Sequence, residues 1–258
     1  MTTSMRSSPM RARSLRLFSA RIDAYTKDET LREIESRIDG NRFTQHAVVN
    51  VAKIVNMQHD VRLRNAVNEC DIVNADGMGV VWGARMLGHA IPERVTGIDL
   101  FDSLLGLSAT RGFPVFLLGA RQDVVEQAAQ VLASRHPGLR IAGLHHGYFW
   151  DDEQAVVDRI RASGAKLLFV AITSPRKEVF IDRWRDRLGV SFAMGVGGTF
   201  DVVAGRVRRA PHWMQTAGLE WLFRVVQEPR RMWRRYLITN TRFVLMLMRA
   251  KLGWRGTE

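Results

Sequence analysis

Apolar residues along this chain follow two rhythms. Six short runs are apolar at nearly every position: HAVVNV (46–51), CDIVNA (70–75), PVFLLG (114–119), LRIAGL (139–144), KLLFVAI (166–172) and VSFAMGV (190–196). Short runs rich in β-branched residues and apolar on both faces predict strands covered by helices on either side. Between them lie segments with helical spacing: VRLRNAVNE, VVWGARMLG, the stretch after ERVTGIDL, RQDVVEQAAQVLASRH, DDEQAVVDRIRASG and RKEVFIDRWRDRLG. Several of these stop at glycine or just before proline. Strand and helix in alternation predict an α/β fold, Rossmann-like, with a mostly parallel, doubly wound sheet.

From about residue 211 the rhythm changes. The segment PHWMQTAGLEWLFRVVQEPRRMWRRYLITNTRFVLMLMRAKLGWR holds no strand-like run and reads as helices divided at Pro229. Arg230, Arg231, Arg234, Arg235, Arg242 and Arg249 mingle there with Trp233, Tyr236, Phe243, Leu247 and Trp254. Such mixing describes a helix lying in a membrane interface. The plainer reading packs the apolar side on the domain and leaves the arginines in water.

Charge sharpens this division. The 258 residues carry a net charge of +12, yet residues 206–258 hold twelve Lys and Arg against three acids, a balance of +9. Residues 1–22 contribute five arginines and no acid, so the middle of the chain is close to neutral at −2. A near-neutral body with basic ends predicts contact with an anionic surface, not a nucleic-acid-binding core. The expected organisation is therefore a basic, disordered leader (1–22), an α/β domain (23–210) and a helical, membrane-associating appendage (211–258). The leader lacks the apolar core and small-residue cleavage site of a signal peptide. No run of about 18 apolar residues occurs to span a bilayer. The single cysteine, Cys70, excludes an internal disulfide framework and a cysteine-based zinc site, and is compatible with a reducing compartment.

Ligands of open parallel sheets bind beyond the carboxyl ends of the strands. The loops expected there include NADGMG, LLGARQD, HHGYF, AITSPRKE and GVGGTFD. GARQD and GVGGTFD each suit a diphosphate, which makes Gly119 of the first, and Gly198 with Thr199 of the second, substrate-binding candidates. Glycine also closes tight strand–helix turns, and neither G-x-G-x-x-G nor G-x-x-x-x-G-K-[ST] occurs. Asp76, between a strand and a helix, is either a cap accepting backbone N–H bonds or a general base. His145 and His146 lack a third metal ligand at sensible spacing, no D-x-D triplet is present, and no G-x-S-x-G suggests a hydrolase.

Taken together, the motifs become specific. NADGMGVVW, PERVTGIDL (92–100), FLLGA (116–120), HHGYF (145–149), SPRKE (174–178), GVGGTFDVVAGRVRRAP (195–211) and GLEWLFRVVQEPRRMWRRY (218–236) follow one another in this order. The stretch from about Asn50 to Tyr236 resembles the WecG/TagA/CpsF bacterial glycosyltransferases, glycosyltransferase family 26. The resemblance implies inverting, metal-independent transfer of a hexose from a UDP-sugar donor to a sugar on undecaprenyl diphosphate, with no cofactor. It implies work at the inner face of the cytoplasmic membrane, in making surface polysaccharide or wall polymer, with the appendage completing the active site and touching the membrane.

In residues, the resemblance implies that Asp76 is the catalytic base. It makes Arg94 the arginine that holds the diphosphate or aids departing UDP; the alternative is a surface ion pair with Glu93 or Asp99. Asn50 would line the donor pocket, or else turn the chain after its strand. Asp201 would bond ribose, base or sugar hydroxyls, or else cap a helix. Tyr148 and Glu178 would stand on the pocket rim. Arg224, Arg231 and Arg234 of the appendage would reach the acceptor diphosphate, or else be solvated. A homo-oligomer stays open; nucleic acid is not an expected partner. The chain departs from the family at Val48, where some members carry threonine, at Ile172–Thr173, where leucine-glycine is more frequent, and at Lys177, where glutamine is usual. A cation at 177 puts the identity of the donor sugar in doubt. Competing readings are a nucleotide-dependent oxidoreductase on a similar sheet and a non-catalytic membrane- or nucleic-acid-binding module.

Overall fold

The structure is a computed structural model that describes residues 13–253, without the side chain of Arg231. All six expected strands form, as β3 (Thr44–Val49), β4 (Ile72–Ala75), β5 (Val115–Gly119), β6 (Ile141–His145), β7 (Leu167–Ala171) and β8 (Phe192–Gly195). They build one parallel sheet in the order β4-β3-β8-β7-β5-β6.

Helices cover both faces, as an all-parallel sheet requires. On one face α1 (Lys27–Asp39), α5 (Gly97–Arg111), α6 (Gln122–Arg135) and α9 (Thr199–Val203) bury Ile34, Leu104, Val125 and Phe200 against Leu117, Phe169 and Met194. On the other, α2 (Val51–Met57), α3 (Val61–Asn68) and α4 (Met78–Met86) cover the β3–β4 half with Ile54, Val67 and Val80. There too α7 (Glu153–Ala162) and α8 (Arg176–Trp184) cover the β5–β7 half with Val157 and Phe180. Neighbouring strands β3 and β8 thus send their following helices, α2 and α9, to opposite faces. That divergence opens a crevice at the carboxyl ends, the usual ligand position of doubly wound sheets.

The expected disordered leader needs correction where the chain is described. Residues Ser14–Leu17 (β1) and Ala20–Asp23 (β2) pair as an antiparallel hairpin that turns through Phe18, at φ 55°. Leu17, Ala20 and Ile22 are fully buried in the cluster under α2, α3 and α4. The buried carboxylate of Asp23 accepts the Val73 N–H at 2.8 Å, which fastens the hairpin beside β4. The arginines that suggested a leader alternate with these apolar residues, a period-2 pattern that belongs to a strand. Residues 1–12 lie outside the described residues.

Beyond residue 211 the described chain is helical: α10 (His212–Thr216), α11 (Glu220–Gln227) and α12 (Pro229–Lys251). Pro229 opens α12, where its missing N–H costs nothing. One stripe of α12, Met232, Thr239, Phe243 and Leu247, is buried. Phe243 lies on Gly83 of α4 and meets Phe18 edge-on, with ring centroids 5.9 Å apart. The appendage is therefore seated on the α/β domain along α2 and α4. Gln227 adds a two-bond clasp: its Oε1 accepts the Arg208 N–H at 3.1 Å and its Nε2 donates to the Arg208 carbonyl at 2.9 Å.

Replacing Leu17 by Ala should lower the unfolding free energy by about 2–4 kcal/mol, measured by urea denaturation. A loss below about 0.5 kcal/mol would show that the hairpin does not contribute to the core.

Candidate active site

Asn50 and Asp76 follow directly on β3 and β4, whose last paired residues are Val49 and Ala75, so they stand side by side at the rim of the sheet. The Asp76 N–H donates to the Val49 carbonyl at 2.7 Å. The helix cap that Asp76 might have formed is not made. The N-cap of α4 is Gly77, and no side chain caps that helix. Gly77 has φ +109°, a conformation that L side chains rarely adopt. Glycine thus takes the cap position with a backbone turn that a bulkier residue would resist.

Charge surrounds the half-buried Asp76. Burial raises its pKa above the ordinary carboxylate range. Arg224 of α11 opposes that rise, Glu220 of α11 reinforces it, and Arg94 and Lys53 also pull it down. Arg94 does not pair with Glu93 or Asp99. Its Nη1 donates to Glu220 Oε2 at 2.7 Å, and both side chains are largely buried. Glu93 instead accepts the Lys27 N–H, and Asp99 pairs with Arg209 at 2.7 Å. Arg209 also lies 3.9 Å from Glu220. The appendage thus brings one acid and one arginine toward the rim that carries Asp76.

Other expected residues take different positions. Asn50 caps α2, its Oδ1 accepting the Lys53 N–H at 3.0 Å. Asp201 is half-buried in the first turn of α9, where the helix end favours an acid, and Gly198 holds the cap position instead. Buried Thr199 donates its hydroxyl to the Val196 carbonyl at 2.7 Å, so the hydroxyl serves the turn. With only five residues, α9 presents a weak dipole to an anion. Arg234 is exposed, and the side chain of Arg231 lies outside the described residues.

Gly119 and Tyr148 belong to the far side of the sheet. β5 lies four strand spacings from β4, roughly 19 Å. A Cβ at Gly119, φ +128°, would stand 2.4 Å from the Ala171 carbonyl oxygen. The next amide, Ala120 N–H, is committed to that same oxygen at 3.0 Å. Glycine at 119 therefore serves close packing of β5 on β7. Tyr148 is 71% exposed, and His145 packs on His146 and Phe149. Among the described residues no group of three His, Cys, Asp or Glu side chains could hold a metal ion.

Glu178 requires a correction: it is a buried residue, not a rim residue. Its Oε1 receives Lys53 Nζ at 2.8 Å and Lys177 Nζ at 3.3 Å. Lys53 also donates to the Val48 carbonyl at 2.7 Å. Burial alone would raise the Glu178 pKa, but the two ammonium groups outweigh it and hold the carboxyl at about 2. Lys177 is buried across Gly195, and burial lowers its pKa against the opposing pull of Glu178.

Lys53, Glu220 and Arg209 were missed by sequence reasoning. Two of them had a signal. Lys53 is the one charge in the apolar helix VAKIVNM, and Glu220 is one of few acids in a strongly basic segment.

The profile of the "Glycosyl transferase WecG/TagA/CpsF family" matches residues 15–257. The chain belongs to that family. The match reaches back over the β1–β2 hairpin, beyond the motif-bearing stretch, and forward through the appendage. In this glycosyltransferase a carboxylate that caps no helix, of raised proton affinity, lies in the field of three cations. Such an arrangement can grip an anionic donor and accept a proton beside it.

Glu178→Gln should cost about 3–5 kcal/mol in urea unfolding, since it leaves two buried ammonium groups without a counter-charge. The Glu178 pKa is lowered on folding, so its contribution is complete above the ordinary value of 4.5. That contribution fades as pH falls toward about 2. A variant that matches the wild type at pH 7 would refute this role.

Proposed function

We propose that this glycosyltransferase is an inverting, metal-independent hexosyltransferase. It takes its hexose from a UDP-sugar and delivers it to a sugar carried on undecaprenyl diphosphate, in surface polysaccharide or wall-polymer synthesis. The observation that carries the reading is Asp76: uncapped, half-buried, raised in pKa, and flanked by Arg94, Arg224 and Lys53.

In the proposed step Asp76 takes the proton of the acceptor hydroxyl. The hydroxyl oxygen forms a bond to the anomeric carbon as that carbon's bond to the UDP oxygen breaks on the opposite side. The electron pair leaves with UDP. Arg94 keeps Nη2 and Nε for the diphosphate while Nη1 holds Glu220, and its permanent charge offsets that of the leaving group. Asn50 Nδ2 and Asp201 meet donor hydroxyls, while Arg224 and Arg234 meet the acceptor's diphosphate.

The lipid acceptor places the protein on the inner face of the cytoplasmic membrane in this reading. No helix among the described residues is long and apolar enough to cross a bilayer. What supports peripheral contact is the outer side of the appendage. Trp233, Leu237, Val244 and Leu252 of and after α12 are exposed beside Arg234, Arg242 and Arg249. The inner stripe already packs on the domain, so these outer apolar residues stay exposed among the described residues. Exposed Trp82 and Met86 of α4 adjoin that surface, with Trp82 against Gly218 between α10 and α11. Tryptophan beside arginine suits the headgroup level of an anionic leaflet.

Asp76→Asn should reduce transfer at least 10³-fold, on the order expected for loss of a base in a tuned site, while UDP binding by calorimetry stays within about threefold. Retained turnover would remove the base assignment. A Leu237→Ser, Val244→Ser, Arg242→Gln variant should leave anionic vesicles in co-sedimentation while its thermal midpoint is unchanged. Undiminished sedimentation would remove the membrane role of α12.

A further inference from the structure

Glu220 stands out because it has no place in the reaction as written, yet it is built into the site. It is an acid within a basic appendage, half-buried at the first residue of α11. It accepts from Arg94 at 2.7 Å and lies 3.9 Å from Arg209, which is itself held by Asp99 at 2.7 Å. Both arginines it faces come from the polypeptide outside α11, so these contacts exist only while α11 is seated. Resting on the glycosyltransferase reading above, we infer that Glu220 is a positioning residue. It holds Arg94 beside Asp76 and keeps a negative charge there, so that docking of the appendage completes both the diphosphate grip and the base.

The physical case has two parts. An arginine side chain has several rotatable bonds and loses freedom when fixed. A carboxylate on one Nη fixes its plane and leaves the other donors directed at a ligand. The second part is charge. The charged groups acting on Asp76 are Arg224 and Glu220 from α11, Arg94 from the segment before α5, and Lys53 from α2. Burial raises the proton affinity of Asp76, and the three cations work against that rise. Glu220 is the acid that counters them, and its effect on Asp76 is to raise proton affinity. A base held nearer the working pH is more effective.

Two substitutions in the full chain separate these duties. Glu220→Gln keeps the shape and an acceptor for Arg94 but removes the charge. The acid limb of its kcat/KM profile should move to lower pH, because Asp76 then loses its proton more readily. Its kcat at the optimum should fall several-fold, with the UDP-sugar KM within about twofold of wild type. Glu220→Asp keeps the charge but retracts it by one methylene. Its acid limb should stay at the wild-type position, while the UDP-sugar KM rises about tenfold as Arg94 loses its support. Thermal midpoints, measured for both, check that each variant is folded. An acid limb of Glu220→Gln coincident with wild type, or a Glu220→Asp donor KM within twofold, overturns the inference. Asp76→Asn assayed alongside keeps the two ideas apart. Full activity there sinks the base reading, whereas an inactive Asp76→Asn with a wild-type Glu220→Gln profile sinks only the role given to Glu220.

Discussion

Every strand of a parallel sheet must be followed by a crossing element, and the face chosen by each crossing decides where a gap can open. Here β3 and β8 are hydrogen-bonded neighbours whose helices leave in opposite directions. The ends of these two strands are consequently not roofed by their own connections, and β4 next to β3 adds its terminal loop to the same opening. Asn50, Asp76 and the α9 turn are brought there by topology. The appendage then lies along α2 and α4, the side of the opening that carries Asn50 and Asp76, and contributes Glu220 and Arg224.

Beneath that opening lies a second constraint. Lys53, Lys177 and Glu178 form a buried group with more positive than negative charge, located where α2 and α8 meet the ends of β3 and β8. Burial of such a group is costly unless each member is bonded, and here Lys53 reaches both Glu178 and the Val48 carbonyl. The group therefore works as framework. It sets the spacing of α2 from α8, and with it the position of the Asn50 cap.

Much of this was legible beforehand, and the reasons differ by element. The six strands were visible because a sheet covered on both faces requires continuous apolar runs, and those runs survive in the sequence as read. Asp76 and Arg94 stood out as candidates because they sit in local motifs. The β1–β2 hairpin was hidden by its arginines, which outweighed the alternation of Leu15, Leu17, Ala20 and Ile22 with them. Glu178 was misjudged because spacing from Pro175 gives its position on α8 but not the partner that buries it, Lys53, 125 residues away. Glu220 was overlooked for the same reason: its partner Arg94 is 126 residues distant. Contacts of that separation leave no periodic trace.

The two-point fastening of the appendage has a mechanical corollary. Gln227 grips the backbone of Arg208 at one end of the helical segment, and Phe243 with Leu247 is sunk among the side chains under α4 at the other. The appendage is thus tied to the rest of the chain at two separate points. Whatever surface seizes the outer side of α12 therefore dictates the tilt of the entire sheet, and the mouth of the crevice is aimed by leverage instead of by chance collision.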